Sequence, residues 1–386
     1  MPPVQTPTPP KGATHPGTRA HNERLILGLI RRLGPLPKAE IARQTGLSAQ
    51  SVSVIIKALE GDGLLSRGKP QRGRIGQPSI PMELAADGAY FLGLSVGRRR
   101  LELVLVDFLG EIVDRRQEPV TTPAPDEVLA FARSATSDLT APLPQARIAG
   151  LGIALPGHLW DWPETTAMSD WRHRDLATEL SDLPYPVHIL NDASAACGAE
   201  LIFGTADLPR DFLYVFIGHF IGGGLVLDGC LQTGRRGNAA ALGSMPVGSP
   251  GGPFTQLIDM ASLVTLEQLL TPHGTAIPAT PTRWTLPPRV VELWLDGAAT
   301  GLAQALAAAT CVVDVDCVVL DGWLPEDLRA DLVMRTQAQL DAHPLPGIET
   351  PRLRAGAIGP DARALGAASL PLSHRFLVDR TVYPGG

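Results

Sequence analysis

The chain has 386 residues, 33 Lys+Arg against 39 Asp+Glu and a formal charge of −6. That length allows two or three domains, and 44% hydrophobic residues supply a sizeable core. No apolar run reaches the roughly 18 residues that suggest a membrane span, and four isolated cysteines, with no CxxC and no His pair at ligand spacing, argue against disulfide or zinc frameworks.

The net charge hides an asymmetry. Residues 1–80 hold 12 Lys+Arg against 4 Asp+Glu, leaving 21 against 35 for the remainder. A basic head on an acidic body suits a polyanion that the body would repel.

In chain order, residues 1–18 (MPPVQTPTPPKGATHPGT) lack the apolar core of a signal peptide and read as a disordered tail. A cytoplasmic location is expected. Residues 19–84 form the head. In NERLILGLIRRLG, residues 22–34, Leu25, Ile26, Leu29, Ile30 and Leu33 fall on one helical stripe. GPLPKAEIARQTGLSAQSVSVIIKALEGDGLL then predicts two more helices, with Pro37 at a helix start, Gly46 in the tight turn and Ser48 as a cap. The third helix buries Val52, Ile55, Ile56 and Leu59 and presents Ala49, Gln50, Ser51, Ser53, Val54 and Lys57 on its opposite face. This is helix-turn-helix patterning, in which the second helix of the pair enters the major groove with its N-terminal residues nearest the bases. LLSRGKPQRGRIGQPSIPMEL follows as strand, basic loop and strand, a wing offering Arg67, Lys69, Arg72 and Arg74 to phosphates or the minor groove. A small dimerisation module with a solvated charged loop is the bland alternative. Gln50 is the base-reading candidate, since an amide can pair bidentately with adenine. Ser51, Ser53 and Lys57 suit phosphates.

The body runs from 88 to 386. YFLGLSVGRRRLELVLVDFLGEIVDRRQEPV predicts three strands with turns at Gly97–Arg100 and Leu109–Gly110. A helix (Asp126–Leu139), the strand IAGLGIALPG ending at Gly157, the strand VHIL and a helix after Asp192 complete a first half. A second set starts at 211 with DFLYVFIGHFIGGGLVLDGCLQTG, continues through helices at 255–270, 289–309 and 325–341, and includes the strand VDCVVLDG. Two such halves facing one cleft describe an α/β protein of the actin-like ATPase, ribonuclease H-like architecture.

A winged helix followed in order by FLGLSVG, VLVDFLGEIV, GLGIALPG, LNDASAA, GHFIGGGLVLDGCLQTGRRGNAAALGSMPVG and AIGPDARALGAASLPL resembles the ROK family (repressor, open reading frame, kinase) from about residue 22 to the C-terminus. The resemblance implies a sugar-responsive regulator related to sugar kinases. The first phosphate hairpin of the family resembles Asp-x-Gly-Gly-Thr-Lys, where this chain has Ser95, Val96, Gly97, Arg98, Arg99 and Arg100. The second, Gly-Thr-Gly-x-Gly-Gly-Gly, here reads Gly218, His219, Phe220, Ile221, Gly222, Gly223 and Gly224. Phosphoryl transfer is therefore expected to be lost. The arginines read either as a solvated hairpin tip or as an attraction for an anion.

On the sugar side the resemblance implies that Asn191, Asp192 and Asn238 contact the ligand, beside Gly157. The family's sugar-binding Glu falls on Ala241, its His on Ser244, and its Cys-rich zinc loop is absent. No zinc, other metal or cofactor is expected. Trp171, aligned with a tryptophan common in the family, is either a pocket wall or core. Asp192 itself has three readings: a catalytic base, a ligand clamp, or the N-cap of a helix. With the phosphate hairpins altered, a base has no phosphoryl acceptor to serve, and the clamp is the reading adopted. The sequence thus predicts a non-enzymatic regulator, more a repressor than an activator, that binds double-stranded operator DNA as a homodimer or homotetramer under a small sugar-like effector. A sugar kinase with an appended winged helix, and a ligand-independent DNA-binding protein with a vestigial body, are the alternatives.

Overall fold

The computed structural model describes residues 17–70, 79–157, 166–248, 255–378 and 381–382. Helices α1 (Gly17–Leu33), α2 (Lys38–Thr45) and α3 (Ala49–Gly61) build the head, with short strands β1 (Leu36–Pro37), β2 (Leu65–Arg67) and β3 (Pro81–Leu84) paired in the order β1-β3-β2. The turn between α2 and α3 closes because Gly46 takes φ 70, a left-handed conformation that costs glycine nothing. Ser48 then caps α3 by accepting from the Ser51 amide at 3.1 Å. The four apolar positions predicted for α3 are the four it buries.

The stripe on α1 differs from the one expected. Ile26, Leu27, Leu29 and Ile30 are buried, while Leu33 is 47% exposed. Neighbours on two sides explain this: α1 packs on α2 and α3 of the head and also on the last helix of the body. A single-stripe reading assumes one covered face.

The first lobe contains β4 (Tyr90–Val96), β5 (Arg100–Val106), β6 (Ile112–Pro119), α4 (Pro125–Thr140), β7 (Ile148–Leu155), α5 (Leu176–Glu179) and β8 (Val187–Asn191). Its sheet runs β6-β5-β4-β7-β8, antiparallel through β4 and parallel beyond it. Helix α6 (Asp192–Phe203) leads to the second lobe: β9 (Phe212–Ile217), β10 (Ile221–Leu227), β11 (Cys230–Gln232), β12 (Pro246–Val247), β13 (Thr255–Gln256), α7 (Ile258–Ala261), α8 (Leu263–Leu270), α9 (Pro288–Thr310), β14 (Cys317–Gly322), α10 (Glu326–Ala342), β15 (Arg352–Ala355), α11 (Ala362–Phe376) and β16 (Thr381–Val382). That sheet runs β15-β14-β9-β10-β11-β16.

The lobes exchange helices. Helix α11, last in the second lobe, covers β4 and β7 of the first, and α6, last in the first, covers β9 and β10 of the second. The two helices pack against each other as the layer between the sheets. Small residues make this possible: a β-carbon on Gly366 would sit 1.9 Å from the Ala195 carbonyl oxygen, and one on Gly152 would sit 1.8 Å from that of Ala367. Backbones this close transmit displacement, because a packed interior has no slack to absorb it. The turn leading into α11 is pinned by a buried network. Asp321 accepts from Arg329 at 2.7 Å, from the Gly359 amide at 3.0 Å and from the Tyr214 hydroxyl at 3.1 Å. Glu200 on α6 accepts from the Ala357 amide at 3.0 Å, and its burial, then the neighbouring Asp321, pushes its pKa up.

Head and body share one core. Ile26, Ile30, Val52 and Ile56 of the head belong to the same apolar cluster as Phe91, Phe108, Leu372 and Phe376 of the body. Two arginines tie the joint. Arg31 of α1 donates to the carbonyls of Phe108 and of Leu109, the latter at 3.2 Å, and lies over the rings of Phe108 and Phe203. Arg147, just before β7, donates to the carbonyls of Gly88 at 2.9 Å and Asp62, beyond α3, at 3.3 Å. None of the described helices is long and apolar enough to cross a membrane.

Candidate functional sites

On the head, Ala49, Gln50, Ser51, Ser53 and Lys57 all lie exposed on the outer face of α3. Val54, 61% exposed, stands among them and offers a methyl surface of the kind that can meet a thymine methyl. Ser51 is partly committed, its hydroxyl 2.9 Å from that of Ser48. Arg67 is exposed but held by Glu60 at 2.7 Å, so a phosphate would compete with that carboxylate. Lys69 is exposed. Arg72 and Arg74 lie outside the described residues.

In the body, β7 and β8 run parallel and deliver Gly157 and Asn191 to the same sheet end. A β-carbon on Gly157 would lie 3.3 Å from the Asn191 side-chain nitrogen and 4.0 Å from the Asn238 side-chain oxygen. Three of the predicted residues therefore meet, with Asp192 adjoining. Asn238 comes from the loop after β11, in the second lobe, so the group straddles the cleft.

The cap of α6 is Asn191, not Asp192. Its side-chain oxygen accepts from the amides of Ala193 at 3.1 Å and Ser194 at 3.2 Å. Asp192 occupies the first helical position, where one oxygen accepts from the Ala193 amide at 2.9 Å. Its other oxygen stands 3.5 Å from a guanidinium nitrogen of Arg363, the second residue of α11. The capping need of the helix is met without Asp192, and its second oxygen faces Arg363.

Trp171 does not line this site. It is 4% exposed, packed with Leu94, Val128 and Phe131, and its indole donates to the Pro123 carbonyl at 2.8 Å. A buried indole with its N–H satisfied is core. Trp160 and Trp162, the other tryptophans of the segment that ends at Trp171, lie outside the described residues.

The two hairpins that would hold nucleotide phosphates are filled by side chains. Arg98 lies over Phe220 with its guanidinium carbon 5.1 Å from the ring centre, Arg100 over Trp323 at 5.7 Å, and Arg99 forms a two-point ion pair with Glu267 at 2.6 and 3.0 Å. The hairpin tip of the first lobe thus crosses to the second instead of lying solvated. Ser95, where the family has a magnesium-holding Asp, is buried in β4. Glycines 222 and 224 are accounted for by packing, since β-carbons there would lie 2.4 Å from the Ala193 side chain and 2.3 Å from that of Cys197. These residues do not suit a magnesium nucleotide. Ala241 and the exposed Ser244 likewise supply neither the carboxylate nor the imidazole of the family's sugar and zinc loop.

Phe216 and Arg363 are not among the residues the sequence pointed to, and His219 is there only as a substituted hairpin position. Arg363 lies over the Phe216 ring at 5.4 Å, and its Nε is buried with no hydrogen-bond partner among the described residues. His219 is held near pKa 4 by burial first and then by Arg98, Arg99 and Arg363. Arg363 stands inside the quoted stretch AIGPDARALG, but nothing in linear spacing sets it opposite Asp192.

Comparisons with known proteins agree on kinship. Residues 91–373 match the model of the ROK family, and residues 18–75 match that of the MarR family. The uncharacterized protein y4fQ of Sinorhizobium fredii is 29% identical over 92% of this chain and 91% of its own length. The xylose repressor of Bacillus subtilis is 25% identical over 58% of this chain and 60% of its own. Among solved structures, a ROK family transcriptional regulator, described as a homolog of the E. coli MLC protein, superposes with a TM-score of 0.68 over 93% of this chain and 96% of its own, at 20% identity. A ROK family glucokinase from Streptomyces griseus, solved with glucose and AMPPNP, gives 0.59 over 73% of this chain and 99% of its own, also at 20% identity.

Proposed function

The chain is a member of the ROK family, a transcriptional regulator with an N-terminal winged helix, and from that premise we propose that it represses carbohydrate genes under the control of a sugar or sugar derivative bound in the cleft. One observation carries this reading: three elements run from the cleft to the head. Strand β7 runs between Gly157, just past its end, and Arg147, just before its start, which donates to the Asp62 carbonyl beyond α3. Helix α6, twelve residues and about 18 Å long at 1.5 Å per residue, reaches from Asn191 and Asp192 to Phe203, on which Arg31 of α1 lies. Helix α11 reaches from Arg363 to Phe376 and on to Leu377, 3.7 Å from where a β-carbon of Gly28 in α1 would be.

A ligand that bridges Asn191 and Asp192 to Asn238 changes the set of the lobes, and the α6–α11 layer must move with it. The head, tied to the far end of that layer, then changes its placement. In a homodimer or homotetramer on a partly palindromic operator, this alters the separation of paired α3 helices and so operator affinity. Gln50 reads a base, and Ser51, Ser53, Lys57, Arg67 and Lys69 hold phosphates. No phosphoryl transfer is part of this reading, because side chains fill both phosphate hairpins.

The test is operator binding by the full chain, followed by fluorescence anisotropy on its own upstream DNA, with and without members of a sugar panel. A ligand whose presence changes operator affinity at least fivefold, and no longer does so in Asp192→Ala, supports the reading. Equal affinity with every bound ligand would refute it. Release of ADP from ATP and a sugar would place the chain among the kinases instead.

A further inference from the structure

Taking the cleft as the effector site, we infer that the effector is anionic, a sugar bearing a phosphate or carboxylate, whose charged group is received by Arg363 and Arg98 while its hydroxyls are held by Asp192, Asn191 and Asn238.

Position and charge argue for this. The family pattern places a Glu at 241 and a His at 244 around the sugar, and this chain has Ala and Ser there. The same pattern has one lysine in the first hairpin, where this chain has Arg98, Arg99 and Arg100. The cleft has therefore lost a carboxylate and gained guanidinium groups. Arg99 is neutralised by Glu267, and Arg100 stands 4.0 Å from Glu102, which also takes Arg115 at 3.1 Å. Asp192 is the carboxylate facing Arg363, and their 3.5 Å separation is a single long contact rather than a fork. A guanidinium has five donors. The buried Nε of Arg363 is left without a partner among the described residues, in a place where such a group calls for an explanation. Planar anions and phosphates satisfy a guanidinium in two-point fashion.

Surroundings reinforce the charge. Arg98, Arg99 and Arg363 all lie near enough to His219 to help keep its imidazole neutral. Phe216 and Phe220 back the guanidinium groups of Arg363 and Arg98 and fix their planes. Asp192 is within 3.5 Å of Arg363, so one monosaccharide can offer a hydroxyl to the carboxylate and its charged substituent to the arginine. The anion takes the place of Asp192 on Arg363, and the freed carboxylate turns to the hydroxyl.

The experiment is thermal unfolding of the full chain in inorganic phosphate against sodium chloride at equal ionic strength, then with glucose, glucose 6-phosphate, glucuronate, N-acetylglucosamine and N-acetylglucosamine 6-phosphate. Phosphate should raise Tm above chloride. An anionic sugar should do so at lower concentration than either phosphate or its neutral parent. Arg363→Met should weaken both responses about ten- to hundredfold, the range of one lost hydrogen bond to a charged group. This also separates the cleft from the basic head, which the variant leaves untouched. Arg98→Gln, at the half-exposed hairpin tip, repeats the test should Arg363→Met yield little folded protein. The phosphate and glucuronate arms decide which anion is preferred. A Tm indifferent to phosphate and to every anionic sugar overturns the inference, as does a response that survives both substitutions. A neutral sugar that binds through Asp192 more tightly than its anionic counterpart overturns the anionic effector and leaves the sugar-effector reading standing. A phosphate response lost in Arg363→Met, with no sugar bound, keeps the anion subsite and removes the sugar.

Discussion

Arg31→Met tests whether the head is mechanically continuous with the body. The guanidinium of Arg31 donates to two backbone carbonyls of the turn after β5 and lies over two rings, 5.4 Å from the centre of Phe108 and 5.9 Å from that of Phe203. Hydrogen bonds to a charged group contribute about 1.5–3 kcal/mol each, and a cation over a ring about 0.5–1 kcal/mol. Burial opposes this, since it lowers the pKa of Arg31 to about 10, and each unit of that lowering costs about 1.4 kcal/mol. Methionine fills similar volume but leaves both carbonyls without this donor. The net loss at the joint is about 2 kcal/mol, or roughly thirtyfold in the opening equilibrium. Hydrogen exchange on the full chain reads this directly. Amides in the last turn of α1 and in the Phe108–Gly110 turn should exchange roughly thirtyfold faster, while those of α9 and β14 in the distant lobe stay unchanged. Unchanged exchange at the joint would show that the apolar contacts alone hold the head. Uniform acceleration throughout would show a general loss of stability and no discrete hinge.

Other outcomes follow from the same geometry. Because Asn191 is the cap, Asn191→Ala should lower the stability of the chain by about 1 kcal/mol and Asp192→Ala by less; a urea titration giving the reverse order would return the capping role to Asp192. On the head, Gln50→Ala should cost about 1–3 kcal/mol at one base pair of the operator, whereas Lys57→Ala should weaken all sequences alike and lower the salt slope by about one; identical profiles for the two variants would remove the distinction. His219 is near pKa 4 in the folded chain against 6.5 in an exposed histidine, so the unfolded chain binds the proton more readily. Its contribution to stability is complete above pH 6.5 and falls as pH drops toward 4. His219→Phe should therefore lose less Tm than the parent between pH 7 and pH 4.5, and parallel curves would contradict the burial assigned to it.

Much of this protein was legible in its residues. Period and capping located α3 and its four buried positions, because a helix under one covered face obeys a local rule. The order of motifs located the two lobes and brought Gly157, Asn191, Asp192 and Asn238 into view as one set. Other features depended on partners far along the chain. Leu27 is buried and Leu33 is not because the body covers a second face of α1. Trp171 went to the core because the Pro123 carbonyl, 48 residues away, satisfies its indole. Asn191 took the cap from Asp192 by a difference of one residue in where the helix begins, which spacing alone does not resolve. The role of the arginines in the first hairpin was decided by Glu267, Phe220 and Trp323 in the opposite lobe. So was the pairing of Asp192 with Arg363, 171 positions later. Sequence alone determined the elements and the residues offered to the site, since helix and strand periods and motif order act over short range. Tertiary structure alone decided which charges face each other across the cleft, because that depends on how two lobes and two exchanged helices close on one another.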